Sequence, residues 1–482
     1  MAMPAIRGSL YIDGQWCEAD DGATRTLVNP ATEEPIGEIA SCGGAEVRRA
    51  IDAAHQAGPA WAKLTPYERQ TKLRRVAELI RERVEEIAQC LTLEQGKPIV
   101  EARLEVLANA TFFEWYADEG TRVYGEMVPH THPDKRLFVF HQPVGVSMMI
   151  SPWNFPLFLQ GRKIAPALAA GCTCICRPSS ETPLNLIKFF EILEDAGIPA
   201  GVANLVTGPA GTTMEPIYDD TRVRQISFSG STEVGKEIMR RAADHAKRIG
   251  IELGGHAPFI ATPDFGAVEA ARFAAASKFR NAGQSCVSAS RFYIQRDMVE
   301  EFTRAVVDIA RSIVIGDGRD EETQMGPLCT AGHRDKTESL IADAVAKGAT
   351  VLTGGKRPKE FERGYFYRPT VLSDITPDME LMIDEPFCPI MPIIPYDTLD
   401  EALELANATE YGLAGYIATR DTSTAIRLAE GLDACIISVG DFSPATVLAP
   451  FGGMKQSGIG REGGREGILE YLEAKYVSLK ID

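Results

Sequence analysis

"VGVSMMISPWNFPLFLQGRKIAPALAAGCTCICRP", residues 144–178, holds two short apolar runs on either side of a segment with helical spacing. "VGVSMMI" and "CTCIC" have the length and continuity of strands buried on both faces, and "LQGRKIAPALAA" between them reads as a helix. Two strands joined through a helix cannot form a hairpin, so the unit is βαβ with parallel strands. Outward from it the alternation continues to Leu253. Thr182 and Pro183 offer an N-cap and a first-turn proline for a helix over "LNLIKFFEILEDAG"; "VANLVTG", "QISFSG" and "KRIGIEL" read as further strands, with a helix starting at Ser231. The order predicts an α/β fold with a doubly wound parallel sheet and ligands at the carboxyl ends of its strands. A second α/β segment runs from about Gly255 to Cys435, with helices such as "GAVEAARFAAASKF" and "DMVEEFTRAVVDIARSI" and strands such as "FYIQ" and "LAGYIAT". No repeat or low-complexity linker separates the two.

The 482 residues are 45% hydrophobic and 24% charged, which suits a globular chain of more than one domain. A net charge of −17 without a basic block argues against nucleic acid as a partner, and the charges of "RRVAELIRERVEEIAQC" alternate in sign as on a solvated helix face. The opening "MAMPAIRGSLYIDGQW" lacks the apolar core of a signal peptide and no run is long enough to span a membrane, so the expected compartment is the cytoplasm. Ten cysteines are too sparse for a disulfide framework. Cys172, Cys174 and Cys176 alternate on one face of a strand in a spacing unlike that of zinc sites, and the 7 histidines are scattered, so no metal is expected.

Chemistry concentrates in four places. In "KFRNAGQSCVSASRF", residues 278–292, Cys286 follows Gly283-Gln284-Ser285 and lies near Arg280. A free thiol is only a few per cent thiolate at neutral pH, so a nucleophilic Cys286 needs a neighbouring base, cation or helix terminus; Glu252 and Arg280 are the candidates. Asn154 in "SPWNFP" follows a strand end and carries an amide able to donate to an oxyanion, and Glu252 in "IELGG" closes another strand beside glycines. "FSGSTEVG" turns from strand to helix and exposes free N–H groups that favour an anion, although its glycines do not make the dinucleotide fingerprint. Each residue taken singly also suits a structural role: a turn cap for Asn154, an ion pair for Glu252, a buried thiol for Cys286.

Taken together, "PWNFP", "FSGSTEVG", "IELGG", "NAGQSC", "EPFCPI" and "PFGGMKQSGIGREGG" occur in the order and approximate spacing of the NAD(P)-dependent aldehyde dehydrogenase superfamily, which the whole chain resembles. "LEQGKPIVEAR", "ADEGTRVYGE", "ELGGHAP" and "EYLEAKYVSL" are most similar to its succinate-semialdehyde branch. The resemblance implies two doubly wound domains and a small bridging sheet: residues 1–123 and 144–254 binding NADP or NAD, residues 255–435 carrying the cysteine, residues 124–143 and 466–482 mediating oligomerisation as a dimer or tetramer, and residues 436–465 forming a substrate-pocket loop. It further implies Cys286 as nucleophile, Asn154 as oxyanion donor, Glu252 as general base and Glu462 as proton relay. Pro152, Trp153, Arg177, Ser180, Gly208, Gly230, Ser231, Leu253, Glu385 and Phe387 match cofactor-lining positions. Arg162, Arg280 and Ser443 match positions around a substrate carboxylate, which implies a short ω-oxo acid; a neutral or longer aldehyde, or a Cys/Glu hydrolase without redox chemistry, is the alternative. The chain departs from the family pattern at Arg177, where Lys is usual, at Ser180, where NAD-selective relatives often have Glu, at Ser229, where Thr is usual, and in the lengthened loop "SVGDFSPATVLAP", which has Ser438 where Asn is common.

Overall fold

A computed structural model describes residues 9–482; residues 1–8, the start of the stretch without a leader core, lie outside the described residues. The strand Val146–Ile150 is buried along its whole length and pairs in parallel with Thr173–Arg177 on one side and Val223–Ser229 on the other. A strand covered on both faces has no solvent side to mark, which is why its sequence does not alternate. From this centre the chain winds outward in both directions. Ala203–Leu205 extends the sheet beyond Thr173–Arg177, and Arg248–Glu252 extends it beyond Val223–Ser229. The winding direction therefore reverses between Val146–Ile150 and Val223–Ser229, the place where an open α/β sheet leaves a crevice at its carboxyl ends. Short antiparallel strands finish both edges of this eight-stranded sheet, Leu10–Ile12 with Gln15–Cys17 at one and Gly458–Ile459 at the other.

The chain passes to a second, seven-stranded sheet between Glu252 and Ala257. Ala257–Ala261 lies between Ala289–Gln295 and Ala414–Ala418, all parallel, and Ile436–Val439 closes the sheet a few residues past Cys435. A third sheet is antiparallel: Leu472–Lys480 pairs along its length with Lys135–Pro143, which also pairs with Glu126–Val128. Among the described residues no helix is long and apolar enough to cross a membrane, and no His, Cys, Asp and Glu cluster could hold a metal.

Two local expectations need correction. Thr182 does not cap the helix Leu184–Asp195; its hydroxyl is buried without a partner. The carboxylate of Glu94, from the distant helix Val84–Gln95, accepts instead from Leu184 N at 2.7 Å, Asn185 N at 2.9 Å and Asn185 Nδ2 at 2.6 Å. The carboxyl thus takes up the orphan N–H groups of the helix start; burial pushes its pKa up to about 8, and the bonds from Asn185 and Leu184 oppose that rise. Cys172 precedes the strand that carries Cys174 and Cys176, and its thiol donates to Tyr471 O; all three are fully buried.

Candidate active site

Beyond Ile150 the backbone leaves the sheet at the winding reversal, and Asn154 sits just before the helix Pro156–Ala170. Its Nδ2 donates to Gln284 O at 3.2 Å, while its buried Oδ1 has no partner. The Asn154 carbonyl accepts from Lys97 Nζ at 2.7 Å and from Asn281 Nδ2 at 3.0 Å, which fixes the residue from two sides. Lys97 pairs with Glu105 at 2.6 Å in a wholly buried bridge, and the other Glu105 oxygen accepts from Leu157 N and Phe158 N in the helix's first turn. Sequence reasoning missed this pair. Lys97 lies between Gly96 and Pro98 in the break between two helices and Glu105 on an ordinary polar helix, and burial of the two charges arises only when these segments pack.

Cys286 is delivered by a strained turn. Asn281 and Ala282 hold φ of 48° and 54°, and Gly283 holds 74°. Two non-glycine residues in the left-handed region each cost on the order of 1 kcal/mol or more, which persists where surrounding contacts over-determine the turn. Those contacts are visible: Asn281 N donates to Glu101, Gln284 Nε2 donates to Asn281 O at 3.0 Å, and Cys329 N donates to Gln284 Oε1 at 2.9 Å. The thiol of Cys286 interacts with the Glu252 carboxyl, and its pKa is pushed well above the ordinary range by burial and then by the Glu252 charge, with Arg162 opposing. The resting sulfur is therefore a thiol.

Glu252 ends the strand Arg248–Glu252 and is buried, which raises its pKa; the charge of Glu462 adds to the rise and that of Arg162 offsets it. Its Oε1 has no hydrogen-bond partner, so a carboxylate oxygen is available to a small guest such as water. Arg162 lies behind it, with Nε 2.5 Å from Glu462 Oε2 and an Nη 3.8 Å from Glu252 Oε2. Lys163 bridges Ser229 Oγ, at 2.7 Å, to Glu462. Burial resists ionisation of Glu462, yet Arg162 and Lys163 together hold its carboxyl below the usual range. Two expectations change here. The cation that acts on Cys286 is Arg162 rather than Arg280; Arg162, expected around a substrate carboxylate, does line the cavity that holds Cys286, but it is buried against the Phe451 ring with its Nε paired to Glu462. Consecutive basic residues in "QGRK" are the signal that could have suggested an internal ion network.

A second set of residues lines the crevice of the first sheet. Ser231 caps the helix Thr232–Ala243, its Oγ accepting from Val234 N, and Gly230 stands before it at a point where a Cβ would overlap the Phe228 ring. A Cβ on Gly235 would overlap Leu253, and one on Gly208 would lie 2.6 Å from Cys42 O. Arg177 donates to Gly208 O at 2.8 Å and keeps its buried Nε unpartnered; Ser180 and Gly208 share a small cleft with Arg25, a residue sequence reasoning missed, which is paired with Glu181. At the other end Trp153 packs edge-on against Phe387 at 5.5 Å, with Pro152 half-exposed beside it, and Glu385 accepts from Gly255 N at 3.0 Å. Burial pushes the Glu385 carboxyl up to about 8. A helix N-terminus, close glycine packing and a guanidinium with a free Nε fit a phosphate-bearing dinucleotide laid across the crevice.

Cys286 also opens onto a cavity of about 820 Å³ on its other side. The walls are aromatic, from Phe155, Phe158, Phe279 and Phe451, and the loop residues Phe442 and Ser443 border it. Arg280 reaches it from the end of the helix Ala267–Phe279, its guanidinium 5.4 Å from the Phe155 ring and free of any salt bridge among the described residues. Glu101 lies nearby and lends Arg280 a partial counter-charge.

Residues 16–477 match the aldehyde dehydrogenase family. The chain belongs to that family. It is 43% identical to glutarate-semialdehyde dehydrogenase of Pseudomonas putida, over 99% of this chain and 98% of that one. It is 42% identical to the NADP(+) succinate-semialdehyde dehydrogenase of Escherichia coli, over 98% of each chain. The crystal structure of betaine aldehyde dehydrogenase from Staphylococcus aureus in complex with NAD+ superimposes with a TM-score of 0.97 at 36% identity, covering 99% of this chain and 96% of that one. In this aldehyde dehydrogenase Cys286, Glu252, Glu462 and the Asn154 amide come together from both sheets, with the dinucleotide crevice on one side and the aromatic cavity on the other.

Proposed function

We propose that this aldehyde dehydrogenase oxidises a short ω-oxo acid, succinate or glutarate semialdehyde, to the dicarboxylate with NADP or NAD. The observation that carries the substrate reading is Arg280, a guanidinium without a salt-bridge partner on the wall of the cavity that holds Cys286. A carboxylate at the far end of the aldehyde gains a charge-assisted contact there. Arg162, tied to Glu462, acts in this reading on the catalytic carboxylates rather than on the substrate. Ser443 adds a hydroxyl at the cavity's edge.

The sulfur of Cys286 adds to the aldehyde carbon as its proton passes to Glu252, whose raised pKa suits it to accept one. The oxyanion that forms is met by the Asn154 Nδ2 and the Cys286 backbone N–H. A bound nicotinamide supplies the hydride acceptor that the chemistry requires. After hydride has left the carbon, Glu252 gives up the thiol's proton through Glu462 and Lys163, and the restored carboxylate removes a proton from the water that opens the thioester on Cys286. Ser231, Gly230, Gly208, Arg177 and Ser180 hold the pyrophosphate and adenosine side, and Pro152, Trp153, Leu253, Glu385 and Phe387 the nicotinamide side. A hydrolase without redox chemistry would make no use of that crevice. The third sheet joins subunits into a dimer or tetramer, and the cytosol is the working compartment.

The test compares kcat/KM for succinate semialdehyde and butanal. The acid should lead by tenfold or more, and Arg280→Ala should lose most of that lead. Equal values in the parent enzyme overturn the carboxylate reading.

A further inference from the structure

The cavity runs well past Arg280. Its volume of about 820 Å³ lies in the upper part of the range of roughly 300–1,000 Å³ that holds drug-sized ligands, far more than a four- or five-carbon aldehyde acid fills. The helix Ala267–Phe279 shows how the extra room is made. Arg272, Ala275, Ala276, Phe279 and then Arg280 all line the cavity, recurring at the spacing of one helix face, and at the middle of that face the side chains are methyl groups. Ala108 on the facing helix Ile99–Glu119 is equally small. Leu104, Ile309 and Ile313 continue the apolar wall.

Arg272 stands on this face about two helical turns before Arg280, roughly 12 Å along the axis at the usual rise per residue. It is exposed and has neither a hydrogen bond nor a salt bridge among the described residues. Of the carboxylates on the cavity wall, Glu105 is neutralised by Lys97, and Glu101 accepts from Asn281 N beside Arg280. An unpaired cation at the end of an apolar channel is the arrangement that receives an anion carried on an apolar spacer.

We infer that Arg272 is a second anion position, and that the cavity accepts ω-oxo acids with an extended apolar chain whose carboxylate bypasses Arg280 and reaches Arg272. This rests on the proposed reading of the enzyme as an oxidant of anionic aldehydes and enlarges its substrate class to longer chains. The alanine face and the aromatic walls cover the methylene spacer, and the two arginines sort acids by length.

The experiment measures kcat/KM for 12-oxododecanoate and dodecanal, alongside succinate semialdehyde and butanal, in the parent enzyme and in Arg272→Ala, Arg272→Lys and Arg280→Ala. The parent should favour 12-oxododecanoate over dodecanal by tenfold or more. Arg272→Ala should remove most of that preference through KM, with dodecanal little changed, and Arg272→Lys should restore a good part of it. A preference for 12-oxododecanoate that survives Arg272→Ala, or that is absent from the parent, overturns the inference. The short pair with Arg280→Ala reports on the proposed function separately, so a failure confined to the long pair removes the second anion position and leaves the first intact.

Discussion

Burial raises the pKa of both Glu252 and Cys286; the Glu252 charge raises that of the thiol further, while the thiol's hydrogen bond favours the Glu252 carboxylate. That coupling divides the proposed reaction into a step in which the carboxylate relieves the thiol of its proton and a step in which it relieves water. Cys286→Ala should abolish turnover. Glu252→Gln removes the base from both steps, so rapid-quench mixing should show reduced cofactor forming slowly already in the first turnover, with little steady-state rate after it. Full steady-state activity in either variant would remove that residue from the mechanism. The pH dependence follows with a definite sign. Glu252 is useful as the carboxylate, and burial raises the pH at which it ionises, so kcat should fall as pH drops through a value above the ordinary carboxyl range. The acid limb should be absent from the residual rate of Glu252→Gln. Asn154→Ala should lower the rate by roughly 10²–10³ if its amide meets the oxyanion. These three side chains were legible in the sequence because each lies at or just past a strand end or a tight turn and sits in a motif of distinct composition. The engagement of Arg162 by Glu462 was not, since the two are far apart in the chain and meet only through the second sheet's return to the first.

The strand Val146–Ile150 and the helix after it matter less for their own stability than for the loop they hold between them. Lys97 and Glu105 fix that loop from below, one through the Asn154 carbonyl and the other through the helix's first N–H groups. Removing one member of a wholly buried ion pair leaves the other charge uncompensated, a loss of about 3–5 kcal/mol. Lys97→Met should therefore lower the thermal unfolding temperature, and should reduce kcat more than the KM for the aldehyde, because Asn154 loses one of its two anchors. Unchanged melting would mean that Glu105 finds another partner. The cofactor crevice gives a second prediction at this scale. Ser180 is a neutral hydroxyl in the cleft that Arg25 lines, and Arg25 neutralises the neighbouring Glu181, so position 180 itself does not repel the additional phosphate of NADP. NADP should be accepted, and Ser180→Glu should turn the ratio of kcat/KM toward NAD by tenfold or more; an unchanged ratio would place cofactor choice elsewhere. The βαβ elements were readable because buried parallel strands and amphipathic helices have different periods. The Glu94 cap was not, because a cap supplied from another helix leaves no local trace.

Seen as a whole, the molecule keeps its chemistry between two parallel sheets and sets apart a third sheet that covers neither. Leu472–Lys480 and Lys135–Pro143 pair in register from Leu472–Pro143 to Lys480–Lys135, yet Phe140, Tyr476 and Leu479 on them, and Met127 on the adjoining Glu126–Val128, are exposed. A long exposed edge strand with apolar side chains is a surface that folded chains normally cover. Because the catalytic residues all come from one chain, a subunit contact at this sheet would stabilise the enzyme without completing its active site. "EYLEAKYVSL" pointed to a bridging sheet only through its likeness to the succinate-semialdehyde branch, because a strand exposed on both faces and one paired with another copy read alike in a single sequence. Phe140→Asp with Leu479→Asp places charge in the face without disturbing the pairing between the two strands. Light scattering after size exclusion should then report the single-chain mass where the parent reports a dimer or tetramer, with kcat largely kept and thermal stability lowered. A variant that keeps the parent's mass would show that this sheet is not where subunits meet.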